Sequence, residues 1–244
     1  MSWICLLFFF IALFYSMVGF GGGSSYLAVL VLAGLPYQQI PPLALICNLI
    51  VTTGGFWHFY RAGHFRLGKI LPFVVLSIPM AYWGGTFLIE KRLFSLLLGV
   101  SLMAVAVRMV LAGKEFQMTR EVSSKQAWIF GLPVGSFLGF LSGIIGIGGG
   151  IFLSPLLLLM RWVNAKESAA AASFFIMVNS FAGLMGHWQK GAFKLEGLLP
   201  LGIAVFLGGQ LGSRLGAYRL PQVSFQRLLA GLIFYVSMRL IWGA

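Results

Sequence analysis

The sequence predicts an all-α, polytopic transmembrane helix bundle built from two inverted repeats, each beginning with a glycine-broken helical hairpin. Three observations carry this reading. Of the 244 residues, 59% are hydrophobic and 9% charged, the mean hydropathy is +0.95, and several uncharged stretches are long enough to cross a bilayer. The apolar runs follow an order that repeats. The same glycine interruption occurs twice, as GFGGGSS at 19–25 and as IGIGGGIF at 145–152. A membrane β-barrel would instead show short segments of alternating polarity.

The apolar runs are 3–35, 43–60, 70–89 and 93–112, then a polar linker, GKEFQMTREVSSKQ, at 113–126, then 127–160, 168–188, 197–213 and 223–243. Gly21–Gly23 match Gly148–Gly150, GHFRLGKILP at 63–72 matches GAFKLEGLLP at 191–200, and Arg108 matches Arg239. Residues 1–112 and 127–244 therefore read as two transmembrane repeats joined by a cytoplasmic linker. The N-terminal run has neither the positive n-region nor the small-residue cleavage site of a signal peptide, and is expected to stay in the mature protein.

The first run of each repeat has 33 or 34 residues. At 1.5 Å per residue that is about 50 Å of helix, too long for one upright crossing of a core about 30 Å thick and short for two. A break at the glycines lets each run enter, turn at membrane depth and return. The positive charges test the idea. If the broken runs begin and end on one side, twelve of seventeen Lys and Arg share a side, among them Arg66, Lys69, Lys166, Arg214 and Arg219. If each crosses once, the split is ten to seven. The positive-inside rule favours the hairpins, with the twelve-charge side cytoplasmic and both termini outside. Three further crossings per copy then invert the second repeat relative to the first.

Non-helical backbone inside a membrane must line a cavity or be buried in protein. Adjacent glycines turn sharply and place no Cβ against a ligand. The helices that start after them aim N–H groups and a positive dipole end at the turn, which suits an anion. Candidate substrate-binding residues are therefore Gly21, Gly22, Gly23, Ser24 and Ser25 in the first copy and Gly148, Gly149 and Gly150 in the second. Polar residues in the runs that follow add Asn48 and Thr52, and Ser173 and Asn179, with Thr53, Ser180 and Gln210 nearby. Ile151 and Phe152 replace the two serines in the second copy, so an unequal pair of half-sites is expected. Gly131, Gly135, Gly139 and Gly143, like Gly208, Gly212 and Gly216, fall every fourth residue and read as helix-packing stripes. His58 and His187, beside Trp57 and Trp188, read as interfacial rather than as proton relays.

No Asp occurs, and Glu90, Glu115, Glu121, Glu167 and Glu196 fall in or beside loops. A coupling carboxylate at mid-membrane is therefore not evident. Cys5 and Cys47 lack partners at metal spacing, neither glycine segment fits a nucleotide fingerprint, and no cofactor is expected. The net charge of +12 reports topology rather than nucleic-acid binding, since no loop is long enough to carry a soluble domain. The implied partners are the lipid bilayer and a small anion; a homo-oligomer is compatible with the pattern.

The duplicated GFGGGSS and GIGGGIFLSP, each followed by a run rich in Ala or small polar residues, resemble the TauE/SafE family of sulfite exporters and related anion permeases. The resemblance spans about Val18 to Trp242; the first half departs from it at Pro41 and Pro42, where the second has Ser168 and Ala169. It implies movement of sulfite or a small organosulfonate, usually outward, across a bacterial inner membrane. Three other readings stand beside it: a permease for another small organic or inorganic anion, a membrane assembly partner, and a Ser/His intramembrane hydrolase using Ser142 or Ser173 with His187.

Overall fold

A computed structural model describes residues 2–87, 90–111, 123–160, 162–189 and 198–219, with 234, 235, 237, 238 and 241. The described residues form α1 (Ser2–Met17), α2 (Gly23–Leu32), α3 (Ile40–Arg61), α4 (Leu67–Thr86), α5 (Lys91–Leu111), α6 (Ser124–Ile145), α7 (Gly150–Leu159), α8 (Ala165–Trp188) and α9 (Leu198–Tyr218), with no strand among them. Most of the linker, the 190–197 segment and nearly all of the last apolar run lie outside the described residues. Five helices, α3, α4, α6, α8 and α9, are long and apolar enough to span a membrane.

The long helices start where local chemistry dictates. Pro41 and Pro42 occupy the first turn of α3, where a missing N–H leaves no bond unmade. Ser123 caps α6 by accepting from the Gln126 amide, and Asn164 with Glu167 forms a reciprocal capping box on α8.

The glycine stripes do what their spacing implies. On α6, Gly135, Gly139 and Gly143 lie against Phe73, Ser77 and Ala81 of α4; a Cβ on Gly139 would come 2.6 Å from the Ser77 Cα. On α9, Gly208, Gly212 and Gly216 lie against Phe9, Leu13 and Met17 of α1; a Cβ on Gly216 would come 2.6 Å from the Met17 Cα. Side chains this small let two backbones touch, which is how membrane helices associate when the surrounding lipid is as apolar as the contact. The partnership is reciprocal: a helix early in the second half packs on one from the first, and one late in the second half on the first helix of the chain.

One pole of the bundle is charged. Glu167 at the start of α8 pairs with Arg66 at 3.4 Å and Lys69 at 3.3 Å, next to the α3–α4 turn, while Lys166 donates to the Ala217 carbonyl near the end of α9. The end of α3, the start of α4, the start of α8 and the end of α9 therefore meet, so α3 and α8 run in opposite directions, as do α4 and α9. Burial and the neighbouring Lys166 charge hold the His64 imidazole at this pole below the usual histidine range. At the other pole Gln189 donates to the Tyr82 hydroxyl. Trp57, Phe137, Phe181, Leu199 and Leu211 are each more than half exposed and make up part of the apolar outer surface.

Candidate functional site

Both glycine segments break the helix, and in both the chain turns back. In the first, the Val18 and Phe20 amides close on the Tyr15 carbonyl, and α2 begins at Gly23. Tyr26 then stacks on Phe8 of α1, with ring centroids 4.6 Å apart. In the second, α6 stops at Gly146 and α7 begins at Gly150. Gly19 and Gly146, which stand 127 residues apart, have φ of +78° and +87°; Gly22 and Gly149, at the same spacing, have +93° and +73°. This left-handed backbone is costly for any residue with a Cβ. Space is closed as well, since a Cβ on Gly19 would come 2.6 Å from the Ala169 Cα and one on Gly146 2.8 Å from the Pro41 Cα.

Each break is held by a side chain from the other half of the molecule. Asn48 on α3, fully buried, donates through Nδ2 to the Ile147 carbonyl at 3.1 Å and, more weakly, to the Gly146 carbonyl at 3.4 Å. Ser173 on α8 donates to the Gly19 carbonyl at 2.8 Å. The two breaks also touch. A Cβ on Gly23 would come 2.8 Å from the Ile147 carbonyl oxygen, and one on Gly21 2.9 Å from Asn48 Cγ. The starts of α2 and α7 thus converge near the middle of α3 and α8, bringing two positive dipole ends together.

The structure brings Gly21, Gly22, Gly23, Asn48, Gly148, Gly149, Gly150 and Ser173 to this centre. Ser24 and Ser25 lie beside it, but both hydroxyls engage Tyr15: Ser25 Oγ donates to the phenol oxygen at 2.9 Å, and Ser24 Oγ lies 3.2 Å from it. Thr52 and Asn179 are buried and bond to their own helices, at the Asn48 and Phe175 carbonyls. Thr53 bonds to the Leu49 carbonyl on an exposed face. Tyr15 escaped sequence reading. The available signal was its register, 127 residues before Ser142, each just ahead of a break.

Several buried polar atoms have no hydrogen-bond partner among the described residues: Tyr26 OH, Asn48 Oδ1, Ser142 Oγ, Asn179 Oδ1 and Ser180 Oγ. Among the described residues, the amides of Gly21, Gly22 and Gly23, and of Gly148, Gly149 and Ile151, have no backbone acceptor. Such groups are uncommon in folded proteins and call for an explanation. The described carboxylates, Glu90 and Glu167, stand at helix starts away from this centre, and no metal-binding cluster occurs among the described residues.

His58 Nδ1 lies 2.8 Å from Ser213 Oγ of α9, close to the charged pole. His187 is buried, against the interfacial expectation, with Nε2 at 2.8 Å from the Gly143 carbonyl. Ser142 has no partner and Ser173 is bound to Gly19, so neither forms the Ser–His pair a hydrolase requires.

A family model for the sulfite exporter TauE/SafE family matches residues 4–240. The chain belongs to that family. It is a multi-pass membrane transporter, not an enzyme. Among similar proteins, a "probable membrane transporter protein", y4hK, of Sinorhizobium fredii is 31% identical, covering 98% of this chain and 97% of its own length. Two proteins of Haemophilus influenzae with the same description are 24% and 27% identical, over 92% and 85% of this chain and 91% and 80% of their own lengths. No solved structure matches.

Proposed function

We propose that this TauE/SafE transporter carries a small sulfur oxyanion, sulfite or a short organosulfonate, outward across a bacterial inner membrane. The observation that carries the proposal is the pair of glycine breaks: they converge at mid-depth with unpaired backbone amides and buried hydroxyls, and no described carboxylate stands there to repel an anion. Oxyanions are held by such converging donors at helix starts. The family description, sulfite exporter, supports the substrate class.

The two halves act as inverted repeats. The opposed directions of α3 and α8 and of α4 and α9 support this, as does each break being held from the other half. Export has a simple driving force. With a negative interior, one outward-moving negative charge gains about 2.3 kcal/mol per 100 mV, so a uniporter needs no coupling carboxylate.

The test is flux through purified protein in liposomes, with a panel of sulfite, sulfoacetate, sulfolactate, taurine and sulfate. Sulfite or a sulfonate should move, faster when the potential favours the anion's exit, and zwitterionic taurine should lag. Flux of none of the anions would refute the proposal.

A further inference from the structure

The two breaks share a backbone course and differ in what surrounds the helix starts. At the first, the Tyr15 phenol lies between Ser24 and Ser25 and engages both hydroxyls, all three side chains being buried. At the second, Ser142 stands where Tyr15 stands in the first, and its hydroxyl has no partner. Ser180 Oγ, also without a partner, lies 3.2 Å from the position of a Cβ on Gly148, while Asn48 Nδ2 lies 3.2 Å from the same point. Ser142 and Ser180 are at most 1% exposed, so water does not satisfy them from outside. A Cβ on Gly149 would come 3.5 Å from the Ser142 Cβ, so both hydroxyl-bearing side chains flank the second turn.

We propose that the oxyanion is held at the second break alone, by the start of α7 and the hydroxyls of Ser142 and Ser180, and that at the first break the Tyr15 phenol takes the ligand's place. The assignment rests on the oxyanion-transport reading above and gives the unequal pair of half-sites expected from the sequence a direction. The first break pairs the Ser24 and Ser25 hydroxyls with the Tyr15 phenol and leaves the Tyr26 hydroxyl, beside Gly22, without a partner; the second keeps the Ser142 and Ser180 hydroxyls for a transient guest. Specificity follows, because a hydroxyl that must donate rejects a guest lacking an acceptor there.

The test uses the full chain in detergent and in liposomes, with sodium sulfite as the probe and stabilisation against heating and flux as readouts. Ser142→Ala and Ser180→Ala should each weaken apparent sulfite affinity by about tenfold or more, the effect of losing a hydrogen bond to an anion. Ser24→Ala and Ser25→Ala should weaken it less, and Thr53→Ala on the exposed face of α3 should leave it unchanged. Ser142→Cys and Ser180→Cys keep the volume with a weaker donor and should fall between, which separates donor loss from misfolding. Equal or greater losses at Ser24 and Ser25, or wild-type affinity in the Ser142 and Ser180 variants, would overturn the assignment while leaving the transport reading intact. No response to sulfite or to the other anions of the panel in the unaltered protein would overturn both.

Discussion

Replacing Asn48 by alanine should destabilise the empty transporter through the second break, although Asn48 belongs to the first half of the chain. The side chain makes a 3.1 Å bond to the Ile147 carbonyl and a marginal 3.4 Å contact with Gly146. The lost bond is worth about 1 kcal/mol, and leaving a buried carbonyl unpaired adds about 1–3 kcal/mol. The total is about 2–4 kcal/mol, a fall in Tm on the order of 10 °C for a chain of this size. Ser173→Ala removes one bond, 2.8 Å to Gly19, and strands one buried carbonyl in the same way, so its stability should fall by a similar amount. Asn48→Asp keeps the shape but turns a donor toward two carbonyls into an acceptor, so it should be worse than alanine. The assay is thermal unfolding in mild detergent without substrate, followed by tryptophan fluorescence. An Asn48→Asp protein as stable as wild type would refute the reasoning, because it would mean that the amide does not hold the turn.

Other outcomes follow from the same geometry. Gly22→Ala and Gly149→Ala, at φ of +93° and +73°, should lower transport sharply, whereas Gly68→Ala, with nothing near its Cβ position, should not; similar flux in all three would remove the role given to the turns. Gly135 is no neutral control, since a methyl there would enter the Phe73 backbone, and Gly135→Ala and Gly212→Ala should reduce the yield of folded protein on size exclusion. Cysteines at positions 66 and 219 should be labelled from the cytoplasmic side by an impermeant reagent; labelling of 219 from outside would overturn the assigned topology. Glu167→Gln should lower stability by about 1 kcal/mol through the weakened capping box, with little from the exposed ion pairs and little dependence on salt, measured by unfolding at two ionic strengths.

The breaks and stripes were legible because they rest on short-range rules. Three adjacent glycines violate any helical packing period, and the backbone at Gly22, Gly148 and Gly149 has the positive φ that glycine tolerates best. Glycines at every fourth residue fall on one helix face, so Gly135, Gly139 and Gly143 announced a close contact before its partner was known. Asn48 was legible as a buried polar residue, but its role was not, because the carbonyls it holds lie 98 and 99 residues away. Ser24 and Ser25 looked like ready donors, and only the return of α2 along α1 brings them to Tyr15.

By itself, then, the sequence determined that this chain crosses a membrane repeatedly, where its helices break, and which helix faces pack closely. Hydropathy, the absence of Cβ atoms and helical periodicity are properties of neighbours in the chain. The tertiary structure decided which half holds each break and which buried hydroxyls stay unpaired. Those are properties of groups brought together from distant parts of the chain, and a hydrogen bond forms only where packing puts its partner.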